Sequence, residues 1–106
     1  MTAASTTEHP TPPEVRHEPA LARYTLWLDD RNVGLTDYSV SLREVTFTFT
    51  EVDPARRRQG LAAILIERAL DDVRVRTALP VVAQCEYVAK WIDEHAEYHD
   101  LLTRGR

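Results

Sequence analysis

Three consecutive arginines, Arg56-Arg57-Arg58, run directly into Gln59, Gly60, Leu61 and Ala62. A basic run that ends on a glycine and opens an apolar-striped stretch suits an anion. The first N–H groups of a helix have no intrahelical partner, the helix dipole favours negative charge there, and arginine adds forked donors. Gly60 removes the Cβ that would hold a ligand off the backbone. The pattern is neither a Walker loop, which needs G-x-x-x-x-G-K-[ST], nor a dinucleotide fingerprint, which needs more glycines. Without its context such a run is more often just a solvated basic face. Two further side chains could do chemistry. Glu51 shares the strand alternation of Phe47 and Phe49, so it is either a buried general base or a strand-end carboxylate in water. Cys85, the single cysteine, follows a short apolar strand, at the edge where ligands bind in crossover folds. It is either a small buried apolar residue or a thiol that needs a basic neighbour to react. His95 and His99 have a chelating spacing, but no glutamate follows the first and no third ligand is evident, so no metal is expected.

The sequence on either side of these groups shows the scaffold that carries them. Tyr24 to Leu28 alternates and is rich in strand formers, and Asp29-Asp30-Arg31-Asn32 reads as a hairpin turn. Val33 to Leu42 reads as a second strand with Tyr38, Val40 and Leu42 on one face; Val33 and Leu35 have the opposite parity, so a bulge or twist is expected between Leu35 and Tyr38. Val45, Phe47 and Phe49 alternate with Thr46, Thr48 and Thr50 as a half-buried third strand running to Val52. Leu61, Ala62, Leu65, Ile66, Ala69, Leu70 and Val73 then form one stripe at helical spacing. Pro80 blocks further helix, and Val81-Val82-Ala83 reads as a buried strand, parallel to Val45–Val52 through a right-handed crossover. Val88, Trp91 and Ile92 share the face of a last helix, broken near Ala96.

At 106 residues the chain is one domain at most. Residues 1–19 hold four of the six prolines and almost no large apolar side chain, which predicts a disordered tail before a folded domain at 20–103. A net charge of −4 gives no reason to expect binding to nucleic acid or to an anionic membrane. No apolar run approaches the roughly 20 residues of a membrane helix. One cysteine and no visible secretory signal suit a cytoplasmic protein.

In order, Thr50 to Pro54, Arg57-Arg58-Gln59-Gly60-Leu61-Ala62, Cys85 to Ile92 and His95 to Leu102 resemble the GNAT superfamily of acetyl-CoA-dependent N-acetyltransferases. The closer likeness is to its short single-domain subfamily with a cysteine after the last core strand. The resemblance covers roughly residues 21 to 103. It implies a mixed α/β (α+β) fold: a mainly antiparallel sheet with a βαβ crossover and a C-terminal helix, splayed open near Val45–Val52. It also implies that the pyrophosphate of acetyl-CoA lies on the backbone of Arg58 to Ala62, that the pantetheine arm pairs with backbone around Glu51 and Val52, and that Arg57 opens the motif. The cofactor-binding residues are thus Val52, Arg57, Arg58, Gln59, Gly60, Leu61 and Ala62, and the catalytic candidates are Glu51 and Cys85. The expected partners are acetyl-CoA and an amine acceptor, either a small molecule or a protein lysine. A CoA-binding module with little transferase activity is the competing reading. Phe49 stands where the subfamily usually has histidine, Ala96 where it has proline, and Asp93 where many superfamily members carry a tyrosine acid. The helices that wall the acceptor side in longer relatives have no counterpart here, which implies an acceptor site that is open or completed by a partner.

Overall fold

The computed structural model describes residues 12–106, except for the side chains of residues 57–59. Five strands form one sheet in the order β1-β2-β3-β4-β5: β1 Glu14–Glu18, β2 Arg23–Leu28, β3 Arg31–Val40, β4 Val45–Val52 and β5 Val81–Ala83. The first four are antiparallel neighbours, whereas β5 runs parallel to β4. Helix α1 (Leu61–Arg76) makes the crossover, and α2 (Glu86–Asp93) follows β5, ending before a 3₁₀ segment at Ala96–Leu102. This is the mixed, mainly antiparallel sheet with a βαβ crossover and C-terminal helix that the resemblance implies, broken near Ala96 as expected.

The α1 stripe is buried as its spacing requires: Leu61, Leu65, Ile66, Ala69, Leu70 and Val73 all enter the core. They meet Tyr24, Leu26, Val33, Val45, Phe47 and Val52 from the strands and Val88, Trp91 and Ile92 from α2 in a single cluster. Tyr98 donates to Asp71 Oδ1 at 2.7 Å and Arg74 grips Asp100 through two bonds of 2.7 and 3.0 Å, which ties the C-terminal segment to α1. Donation to Asp71 pushes the Tyr98 phenol up to about 12, so it stays a donor at neutral pH.

The Arg74 guanidinium holds the Asp100 carboxyl below its ordinary value. A depressed carboxylate stabilises the fold above its unfolded pKa and loses that contribution as pH falls through the folded value. Asp100→Asn should therefore lower the melting temperature at pH 7. The gap from the parent should close in acid below about pH 4. Melting curves of both proteins across that range are the check.

Three expectations need correction. The disordered tail at 1–19 is wrong over Glu14–Glu18, which form β1; residues 1–11 lie outside the described residues. The strand escapes notice because its contacts are not an apolar alternation. Arg16 lies 4.1 Å over the Trp27 ring, His17 stacks on Tyr24 at 4.3 Å, and Glu18 accepts from Thr25 Oγ1 at 2.7 Å. Secondly, β3 ends at Val40, so Leu42 lies beyond the strand and is exposed; Tyr38 and Val40 do share a face, but Val40 is itself exposed there.

The third correction shapes the site. A register break does fall at Asp37/Tyr38, but the extra residue is on β4: Tyr38 pairs with Phe47 and Asp37 with Phe49, leaving Thr48 unopposed. A bulge of this kind reverses the facing of every later side chain. Phe47 is buried at 1%, whereas Phe49 is 49% exposed, and Thr50 and Val52 take the core positions beyond it. Glu51 follows Phe49 onto the other face and is exposed. Of its two readings, the carboxylate in water is the correct one.

Candidate functional site

β5 pairs with only Val45, Thr46 and Phe47 of β4. Where the pairing stops, the Phe47 carbonyl accepts from both Gln84 N–H (3.1 Å) and Cys85 N–H (2.9 Å), and the chain turns into α2. From Thr48 onward β4 has no strand on this side among the described residues, so the sheet is split. The ladder says which groups face the split. Asp53 N–H donates to Val33 C=O at 2.8 Å, and antiparallel hydrogen bonding alternates residue by residue. Phe49, Glu51 and Asp53 therefore turn their backbone groups toward β3, and Thr50 and Val52 turn theirs into the split. Val52 faces the split with its main chain only, its side chain being buried. Thr50, rather than Glu51, supplies the second set of backbone groups.

β4 leads into a 3₁₀ helix at Pro54–Gln59. Pro54 presets φ at its first turn, and Asp53 caps it by accepting from Ala55 N–H at 3.0 Å. Arg56 turns back to Asp53, Nε to Oδ2 3.8 Å. Arg57, Arg58 and Gln59 form the last part of this turn. Gly60 then reverses the chain at φ +71°, in the left-handed region that glycine enters freely, and serves as the N-cap of α1. It offers no side-chain cap, and the first turn holds no acidic residue. Ile64 bonds back to Gly60 C=O at 3.3 Å, and the N–H groups before it, those of Leu61, Ala62 and Ala63, have no acceptor within α1 itself, as in the first turn of any helix. Leu61 is buried, so only its main chain can meet a ligand. The last turn carries Arg74 and Arg76, which complement the opposite end of the dipole.

Cys85 caps α2 at the other side of the split and is 9% exposed. Its thiol donates to Thr50 Oγ1 at 3.3 Å, and Thr50 lies 2.9 Å from the Thr36 hydroxyl, which in turn donates to Phe49 C=O at 3.2 Å. Sequence reading misses both threonines, because a regular alternation assigns Thr50 to the solvent side of β4. Only the bulge turns it inward. Glu51 and Cys85 are not brought together, since they belong to opposite faces of the sheet. Glu51 instead borders an open cavity of about 360 Å³ with Asn32, Gly34, Leu35, Asp53 and Pro54. His95 stacks on Trp91 at 3.8 Å and donates Nδ1–H to its carbonyl, while His99 Nε2 lies 3.3 Å from Asp93 O. Both rings are engaged locally.

A family model for GCN5-related N-acetyl-transferases matches residues 23–101. Among solved structures, the ribosomal-protein-S18-alanine N-acetyltransferase from Escherichia coli is similar, with a TM-score of 0.58 and 21% identity over 68% of this chain and 49% of that one. The chain thus spans about half the length of that enzyme. A GCN5-like protein from Staphylococcus aureus superposes with a TM-score of 0.50 at 16% identity, over 83% of this chain and 85% of that one. At these identities the two structures speak for the fold. No curated protein sequence matches the chain. The family match spans β2 to β5 and both helices that border the split, and the chain belongs to the GCN5-related N-acetyltransferases.

Proposed function

We propose that this protein binds acetyl-CoA across the split between β4 and β5 and transfers the acetyl group to a primary amine. The observation that carries the reading is the split itself. It opens at Phe47, places the free backbone groups of Thr50 and Val52 along one wall, and adjoins the uncapped N-terminus of α1. A pantetheine arm is an amide chain, which such a strand edge can pair with as a further strand would. A pyrophosphate suits the N–H groups of Leu61 to Ala63, approached past Gly60, with Arg57, Arg58 and Gln59 in the turn beside it.

A lysine-like amine, with a pKa near 10.4, must lose a proton before it can attack a thioester at pH 7. Glu51 stands on the open face of the sheet, beside the wall where the thioester would lie. An exposed carboxylate there can take the proton through a water molecule. The amine then approaches from the Glu51 side, opposite the helices. Val52 N–H, which is turned into the split, is placed to polarise the thioester carbonyl as an oxyanion-hole donor. Cys85 lines the thiol end. The acceptor is a small amine or a protein lysine, and acetyl-CoA is the co-substrate, with no metal in the scheme.

Thermal unfolding with acetyl-CoA, with CoA and with buffer alone tests the reading. A ligand at 100 times its Kd should stabilise the fold by about 2.7 kcal/mol. No shift at millimolar acetyl-CoA would sink the proposal.

A further inference from the structure

The hydrogen bonds behind Cys85 form a line with a fixed end. Phe49 C=O can only accept, so the Thr36 hydroxyl donates to it at 3.2 Å; Thr36 Oγ1 then accepts from Thr50 at 2.9 Å, and Thr50 Oγ1 accepts from the Cys85 thiol at 3.3 Å. Thr36 is 0% exposed and Thr50 7% exposed, so water does not compete with this order. A thiolate has no proton to give. When the sulfur ionises, the two hydroxyls can rotate so that Thr36 donates to Thr50 and Thr50 donates to sulfur. The only bond released is the one to Phe49 C=O, a carbonyl that also faces Asp37 in the ladder. The bond gained has a charged acceptor and is roughly twice as strong as a neutral one.

We propose that Thr50 and Thr36 are positioning residues for Cys85, a reversible hydroxyl relay that orients the thiol at the split and supplies a donor when it ionises. Of the ionisable groups on the elements around the thiol, Glu51 and Asp37 belong to the other face of the sheet. Glu86, Tyr87, Lys90 and Asp93 stand on α2 and are exposed. None of them hydrogen-bonds the sulfur among the described residues, which leaves Thr50 as its polar neighbour. The purpose of the relay rests on the acetyl-CoA reading above; the thiol chemistry that tests it does not.

Cys85 is the only cysteine in the chain, so alkylation by iodoacetamide reports on it alone. Rates are measured across pH on the ligand-free protein. Thr50→Val removes the donor to the thiolate, so the rate near neutral pH should fall about three- to tenfold and the profile should move to higher pH. Thr50→Ser should restore the parent profile. Thr36→Val should act in the opposite direction: Thr50 loses its acceptor in the thiol state and gains one on ionisation, so the profile moves to lower pH. Opposite shifts support the relay, and Thr36→Val alone decides the matter if Thr50→Val does not fold. Coincident profiles, or shifts of the same sign, overturn it. In the same assay acetyl-CoA should protect the parent protein; unchanged alkylation with acetyl-CoA bound removes Cys85 from the thioester end while leaving the relay to be judged on its own shifts.

Discussion

Phe47→Ala should destabilise the fold by about 3–5 kcal/mol, the usual cost of emptying a phenylalanine-sized core site. That is a large part of the roughly 5–15 kcal/mol that holds a small domain together. Phe47 is 1% exposed, packs at 6.0 Å from the Tyr38 ring, and is the last residue of β4 to pair with β5. The control is Phe49→Ala, only two residues along. Phe49 is half-exposed on the far side of the bulge, so about half of a side-chain burial, roughly 1 kcal/mol, is at stake. Urea unfolding of both variants gives the comparison. Equal losses would mean that the bulge at Thr48 is not there, and the inward facing of Thr50 would fall with it.

That contrast marks where the sequence stops being readable. In Thr46-Phe47-Thr48-Phe49-Thr50 the alternation is regular, and nothing in it distinguishes the buried phenylalanine from the exposed one. The bulge is set by pairing with β3, a tertiary effect that overrides local pattern. The α1 stripe has no such competitor. Its period is unbroken from Leu61 to Val73, and every large residue in it is buried as read. β1 lies between these cases: Glu14-Val15-Arg16-His17-Glu18 carries a single aliphatic residue, and its attachment comes from an arginine on an indole and a histidine on a phenol ring. Hydrophobic periodicity cannot detect those contacts. The candidate site divides in the same way. Gly60 and Cys85 are legible because a glycine before a helix and a cysteine after a strand are positional signals. Thr36 and Thr50 are not, since a strand threonine looks the same whether it faces water or a buried thiol.

Gly60 offers the sharpest separation of fold from ligand. Among the described residues, a Cβ built on it meets nothing within 4 Å, yet its φ of +71° is one that L side chains rarely adopt. Any substitution therefore has a backbone cost of about 1–2 kcal/mol, whatever its size. Gly60→Ala and Gly60→Phe should thus melt at similar temperatures without ligand, both below the parent protein. Acetyl-CoA should tell them apart. The open space before Gly60 is where the pyrophosphate would reach the N–H groups of Leu61, Ala62 and Ala63, and a benzyl group standing in it excludes the phosphates. Gly60→Phe should lose essentially all of the roughly 2.7 kcal/mol expected at 100 times the parent Kd. Gly60→Ala, with one methyl group in the same space, should keep part of it. The order of the two ligand shifts carries the conclusion, because the strain they share cancels. If the phenylalanine variant keeps the full shift, the cofactor does not pass Gly60, and the phosphates must be held elsewhere than at the start of α1.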